Sequence, residues 1–429
     1  MPLTIDDIES QTSQPRSKAI SPSPGGRGRQ EGDNELPGLY VHVPFCRSKC
    51  AYCDFYSIPS PDLIPAYLEA VVREAAHYAE RFDAFDTLYF GGGTPSLLSV
   101  DQLRKLLDRL REHAAFSDEF EKTLEANPDD LTPDYLIALR ELGFNRLSLG
   151  IQSFDDGNLN FLRRRHDAGP AMEAIRQARQ AGFDNLSLDL MYGLPGQTIE
   201  AWTRNLETAL EFHPEHLSCY QLTIEPHTPL GTMLTRGEIE PVSEETGRCF
   251  FLENSKFLER NGYLHYEISN FARTESLKSR HNSKYWRHVP YLGLGPSAHS
   301  FLNGVRWWNF SNVETYRGSI MERNHMPVEE SETLTPEQVR LEKLYLGFRT
   351  AEGVALDFLF EGADEGLVAQ PVKDVSSAEK PMDGIKNSRA REILDGLVKS
   401  GHLRIDNGRA RPTREGMLIA DRLPLLFDE

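Results

Sequence analysis

The chain has 429 residues, 47 basic against 65 acidic for a net charge of −18, and 39% hydrophobic content, enough for a sizeable core in two or three domains. The acidic balance argues against a phosphate-backbone footprint and so against a nucleic-acid partner. No run of about 18 apolar residues offers a transmembrane span, no apolar signal segment opens the chain, and five cysteines, three of them clustered, read as reduced thiols of a cytoplasmic protein.

Residues 1–36 are rich in Ser, Pro, Gly, Gln and charge, and such a stretch buries too little apolar surface to offset ordering entropy, which predicts a disordered tail. From Leu39 strand-like apolar runs alternate with amphipathic helices. A strand over Leu39 to Val43 precedes a helix from Asp62 to Phe82, and Thr87 to Phe90 precedes one from Val100 to His113. Lys122 to Ala126 leads to a helix over Pro133 to Leu142, and Arg146 to Ile151 leads to helical segments between Asp155 and Ala181. Leu186 to Met191, a helix over Ile199 to Phe212, and a strand over His216 to Thr223 follow. This alternation predicts βαβ units and a parallel sheet. Six units fall short of an eight-fold barrel, so the expected α/β architecture is an open, partial (β/α)6 barrel over residues 37–225. Residues 226–325 mix helices with aromatic strand-like runs, Tyr263 to Phe271 and Val305 to Phe310, and read as an α+β extension. Residues 326–429 form a last domain: a polar insertion near 361–388, a helix over Arg389 to Lys399, short strands at Leu403 to Ile405 and Ala410 to Arg411, and a helix after Thr413. Helix, hairpin, helix is a winged-helix-like pattern.

Cys46, Cys50 and Cys53 crowd into a loop after the first strand, where Pro44 ends the extended run. Three thiolates are one too few for a closed tetrahedral zinc site or a fully capped iron–sulfur cube. Ligands so close in sequence, with no second cysteine pair elsewhere, suggest a cube with one iron left open. A zinc knuckle with a distant fourth ligand and unligated core cysteines are the alternatives.

Gly91-Gly92-Gly93-Thr94-Pro95 follows the second strand, where glycine lets backbone approach a ligand and present N–H groups to a carboxylate or C=O groups to an amine. Later strand ends carry Glu125, Gln152 and Asp189, with Arg164 just beyond. One polar strand end is ordinarily a cap, but several on one rim make a ligand site. Gly193-Leu194-Pro195-Gly196 supplies a turn beside them. His281-Asn282-Ser283-Lys284-Tyr285-Trp286 is a second cluster, near Trp307 and Trp308. Its histidine suits either an axial iron ligand with stacking aromatics or a packed aromatic patch in which His281 only hydrogen-bonds. His166, His265, His288 and His299 belong to no motif, and Cys219 and Cys249 read as buried small apolar residues.

Together these residues resemble the radical S-adenosylmethionine (SAM) superfamily. Tyr-Val-His-Val-Pro-Phe-Cys at 40–46, Gly-Gly-Gly-Thr-Pro at 91–95, Gly-Ile-Gln-Ser-Phe at 150–154 and Asp-Leu-Met-Tyr-Gly-Leu-Pro-Gly-Gln-Thr at 189–198 are similar to the oxygen-independent coproporphyrinogen III oxidase branch. The resemblance implies a [4Fe–4S] cluster on Cys46, Cys50 and Cys53, with SAM on its open iron. It sets Tyr40, Tyr52, Gly92, Gly93, Thr94, Glu125, Gln152, Arg164 and Asp189 against SAM, with Arg163 and Arg165 one register step to either side of Arg164.

One position departs from the oxidases, which carry a fourth cysteine two residues after the third; here Phe55 stands there. That is similar to the HemW-like heme chaperones of the same branch, as is His281-Asn282-x-x-Tyr285-Trp286. The resemblance implies heme handled by His281, Tyr285 and Trp286 and delivered to an acceptor protein, respiratory proteins among the candidates. An electron donor such as a flavodoxin enters if SAM is cleaved. The rival expectation is radical oxidative decarboxylation of coproporphyrinogen III in porphyrin biosynthesis, which Phe55 counts against.

Overall fold

The computed structural model describes residues 35–360 and 388–427. The expected tail therefore lies outside the described residues apart from Glu35 and Leu36, as does the polar insertion apart from Ser388. The chain divides into two compact units. One runs to Leu264 and resumes over Ser269–Pro336; the other comprises His265–Ile268 and the chain from Glu337.

The first unit is built on six parallel strands: β1 (Gly38–Val43), β2 (Phe85–Gly92), β3 (Phe116–Ala126), β4 (Arg146–Gln152), β5 (Leu186–Tyr192) and β6 (His216–Gln221). They pair in sequence order, the neighbour relation that right-handed βαβ crossovers generate. The crossovers carry α1 (Ile64–Tyr78), α2 (Val100–His113), α3 (Pro133–Glu141), α4 (Asp156–Phe161) with α5 (Ala168–Gln180), and α6 (Ile199–Glu211). In β1, Leu39, Val41 and Val43 are fully buried and turn toward the helices, while Tyr40 and His42, one step out of phase, face the interior of the curled sheet. α2 shows why a helix forms where it does. Ser99 and Gln102 make a reciprocal capping box, and Leu103, Leu106, Leu107 and Leu110 bury one stripe at helical spacing. Leu110 is completely enclosed, so Leu110→Ala costs about 2–5 kcal/mol.

Among the described residues the sheet does not close. Beyond β1 it continues through Tyr291–Leu294 in parallel and then His299–Leu302, Val305–Asn309 and Val328–Thr333 in antiparallel; beyond β6 comes antiparallel Asn270–Ala272. Buried Glu74 of α1 fastens the extension, accepting hydrogen bonds from Gly295 N (2.9 Å), Tyr316 Oη (2.6 Å) and Asn309 Nδ2. Burial raises its carboxyl to about 7.

In the second unit, Ser388–Lys399 is followed by the hairpin Leu403–Asp406 and Arg409–Pro412, joined by Asn407-Gly408. Both turn residues have positive φ, 50° and 72°, the backbone a two-residue hairpin requires and Asn-Gly supplies. Val354–Ala355 adds a third strand, and Arg414–Met417 and Leu423–Leu426 complete the helix–hairpin–helix order.

Differences from the sequence reading have local causes. β3 starts at Phe116, not near Lys122, because Asp118 and Glu119 are exposed on its outer end and break the apolar pattern. The helix expected over Asp62 to Phe82 is α only over Ile64–Tyr78, with 3-10 turns at either end. Strand pairing at 263–271 is limited to Leu264–His265, Asn270–Ala272 and a single bridge at Glu267. The strand Val328–Thr333 is so polar that residue 326 looks like a boundary, whereas the first unit runs on to Pro336. Cys219 is buried as expected, but Cys249 is exposed on the helix Glu244–Arg260.

Candidate functional site

The C-terminal ends of β1 to β6 open into one cavity of about 680 Å3. Cys46, Cys50 and Cys53 line it together with Tyr52, Gly92, Gly93, Thr94, Glu125, Gln152, Arg164 and Asp189. Of the residues set against SAM, Tyr40 alone is absent from that lining; it lies deeper, beside Tyr89 with ring centroids 6.1 Å apart.

The cysteine loop is anchored by backbone on both sides. Ile58 N donates to Pro44 O (2.9 Å) and Cys46 N to Ile58 O (3.1 Å), which closes the loop at its base. Its middle is fixed where Ala51 N donates to Leu162 O and Leu230 N donates to Ala51 O. Ala51 is fully buried among Leu162, Met191, Leu194 and Leu222, a seat that excludes a larger side chain. Cys46 Sγ lies 3.1 Å from Thr94 Oγ1, and Arg164 Nη1 donates to Cys50 Sγ (3.4 Å). Burial raises the Cys53 thiol above its ordinary value. Phe55, in the same loop, is 67% exposed at the cavity's edge.

The glycine strip packs against this loop. A Cβ on Gly93 would stand 2.7 Å from Phe45 O, and one on Gly92 2.6 Å from the His42 ring. Gly92 also has φ +102°, which disfavours any side chain. Its N–H donates to Glu125 Oε2 (3.2 Å), and Gly93 N–H donates to Val43 O (2.9 Å). With those two amides engaged, what Gly92 and Gly93 themselves have left to offer is carbonyl oxygen, which suits an amine.

Below the rim, Tyr89 Oη donates to Glu125 Oε1 (2.7 Å), and Ser148 Oγ donates to Asp189 (3.1 Å). Burial pushes Glu125 up to about 7 and Asp189 up to about 6, each moderated by its hydrogen-bond donors. Arg164 Nη2 donates to Gly150 O (2.6 Å), so of the three consecutive arginines it is Arg164 that reaches the thiols. Arg163 is exposed, and Arg165 pairs with Asp130 (2.8 Å), whose other oxygen accepts from Ser96 Oγ (2.9 Å). Tyr89, Ser148 and Asp130 escaped the sequence reading. Tyr89 and Gly91 share a strand face, and that period of two was the available signal; Ser148 and Asp130 carried none.

His281, Tyr285 and Trp286 are not brought to the cavity. They belong to the short helix Arg280–Trp286, set against the opposite ends of the strands. His281 N donates to Glu121 Oε1 at 3.2 Å, Arg280 pairs with Asp86 (3.0 Å) and donates to Glu119 O (2.9 Å), and Lys284 donates to Leu36 O (2.6 Å). His281 is buried, with Nδ1 2.8 Å from Thr87 Oγ1 and Nε2 2.9 Å from Tyr285 Oη. Both ring nitrogens therefore have partners within the protein. An axial-iron role for His281 would require the motif's own Tyr285 hydroxyl to leave Nε2. Trp307 is likewise core, tilted against Tyr78.

This parallel sheet with three loop cysteines at its open end defines a radical SAM protein, and residues 40–209 match the Radical SAM superfamily model. The chain is 38% identical over 368 residues to the heme chaperone HemW of Bacillus subtilis, covering 84% of this chain and 95% of that one. It is 35% identical to the HemW of Mycobacterium tuberculosis, over 85% and 94%. The chain belongs to the HemW family. Its fold is that of the coproporphyrinogen III oxidase HemN from Escherichia coli, with a TM-score of 0.72 over 92% of this chain and 90% of that one at 24% identity.

The superfamily's two cofactors, a [4Fe–4S] cluster and SAM, suit what lines the cavity. Among the described residues no group of His, Cys, Asp or Glu is gathered tightly enough for a single metal ion. A cube, which puts each ligand on a different iron, does not require that. Carboxylates, an arginine and a glycine strip match the polar ends of SAM. Among the described residues no helix is long and apolar enough to cross a membrane.

Proposed function

We propose that this protein is a heme chaperone of the radical SAM type. In this reading Cys46, Cys50 and Cys53 hold the cluster, which supplies an open iron for the amino and carboxylate groups of SAM. Gly92, Gly93, Thr94, Glu125, Gln152, Arg164 and Asp189 seat SAM in the cavity, and heme is taken up and passed to an acceptor protein. Tyr52, whose hydroxyl is 3.5 Å from Arg164 Nη1, shields the cluster side.

The observation that carries the reading is identity spread over 95% of the Bacillus subtilis HemW, in a chain whose fold is also that of the oxidase. Phe55 separates the two chemistries: it stands on the cysteine loop and is exposed at the cavity's edge.

The test is one anaerobic experiment on the full chain with its cluster reconstituted. Coproporphyrinogen III, SAM and a reductant are supplied and protoporphyrinogen IX is measured, with hemin titrated in parallel. Heme binding without product is expected. Product above background establishes the oxidase instead.

A further inference from the structure

We propose that His281 is a positioning residue of the barrel floor, which holds Tyr89 so that its hydroxyl stays on Glu125, and is not an iron ligand. The proposal rests on the reading above that Glu125 faces SAM. Nothing else in it needs heme or SAM.

The geometry is a triangle of rings, with Tyr40 and Tyr89 themselves 6.1 Å apart. The His281 ring lies 5.1 Å from the Tyr89 ring at 24° and 6.1 Å from the Tyr40 ring at 28°, two near-parallel contacts. Tyr285 meets His281 edge-on at 5.3 Å and Tyr291 edge-on at 4.7 Å. What the two tyrosines need here is a flat ring, and the imidazole nitrogens meet the hydroxyls of Thr87 and Tyr285 at its edge. Burial lowers its pKa to about 3, so it stacks as a neutral ring. The first strand is shaped around it: a Cβ on Gly38 would stand 3.0 Å from the imidazole, so glycine there leaves the ring its room. The rest of the short helix clamps this arrangement from outside, with Lys284 at 2.6 Å from Asp86 and Arg280 at 3.0 Å from the same carboxylate.

From the floor the chain of contact runs upward: His281 against Tyr89, and Tyr89 Oη to Glu125, which also accepts from Gly92 N at the glycine strip. Tyr40 of β1, Tyr89 of β2, Arg146 of β4, Asp189 of β5, His216 and Tyr220 of β6 and Tyr285 of the floor helix face or surround Glu125. Of these, Tyr89 is the hydrogen-bond donor that holds the Glu125 carboxyl down against burial. A displaced Tyr89 therefore raises the pH at which Glu125 loses its proton.

The test titrates SAM into the cluster-loaded full chain between pH 6 and 8 for the parent, His281→Ala and His281→Phe, with His281→Gln replacing the Phe variant if that does not fold. The parent should bind SAM with a midpoint near the Glu125 value of about 7. His281→Ala should weaken SAM about tenfold and move the midpoint upward by roughly half a unit or more. His281→Phe, which keeps a flat ring but cannot bind iron, should restore the midpoint. Hemin titrated into all three should give one Soret band and one stoichiometry. Loss or displacement of that band in both variants, with the SAM midpoint unmoved, overturns the proposal. If the parent binds no SAM at any pH, the cofactor reading fails separately, and the hemin titration alone decides the role of His281: an unchanged band supports the floor role and a lost band refutes it.

Discussion

At the mouth of the barrel, Cys46, Cys50, Cys53, Arg164 and Glu125 surround a cavity of about 680 Å3, while at the floor His281, Tyr285 and Lys284 meet only other parts of the protein. Both ends carry tyrosine, arginine and acid. At the mouth the strands end in glycine and loops whose backbone is anchored away from the centre, so side chains converge on space. At the floor a short helix brings its own partners, so every equivalent group is paired. Composition at a site therefore says less than whether each polar atom already has a partner.

The largest expected effect falls on the mouth. Cys46→Ser, Cys50→Ser or Cys53→Ser should each reduce iron retained after reconstitution to about a tenth or less, because metal binding needs all three thiolates; near-complete retention would remove the loop from the cluster site. Next is Arg164→Met, which removes the donor to Cys50 Sγ and Gly150 O. Loss of a charged donor costs about 1.5–3 kcal/mol, or roughly tenfold or more in SAM affinity by calorimetry. The same variant should move the cluster's midpoint potential downward, since a hydrogen bond to a ligand sulfur favours the reduced form. An unmoved potential would place the guanidinium away from the cluster.

A subtler effect concerns pH. Burial raises Glu125 to about 7 and Asp189 to about 6 in the folded chain, above ordinary carboxyl values. A raised carboxyl favours folding while protonated, so the contribution is present at low pH and is lost as pH rises through 7. Glu125→Gln should flatten the fall in melting temperature between pH 5 and 8; a slope equal to the parent's would contradict the burial argument. The smallest effect belongs to Phe55→Ala. An exposed side chain contributes within about 0.5 kcal/mol of stability, so melting temperature and iron content should hold even where heme handling changes.

The mouth was legible in the sequence because its residues mark strand ends. Glu125, Gln152 and Asp189 interrupt apolar runs where a parallel sheet turns, and the cysteine and glycine strips are local patterns that need no tertiary information. The floor was not. His281 reads as either ligand or core, and its partners, Thr87 Oγ1 at one nitrogen and Tyr285 Oη at the other, join segments 194 and 4 residues away. Tyr89 was hidden inside an apolar strand, and the strand Val328–Thr333 was hidden by its own polarity.

The most direct test of the division between the two ends is electron paramagnetic resonance of the reduced, cluster-loaded chain with and without SAM. The account predicts that SAM shifts the cluster signal in the parent and in His281→Phe, and that the shift weakens in Arg164→Met. An intact cluster whose signal SAM leaves unchanged in the parent would contradict it.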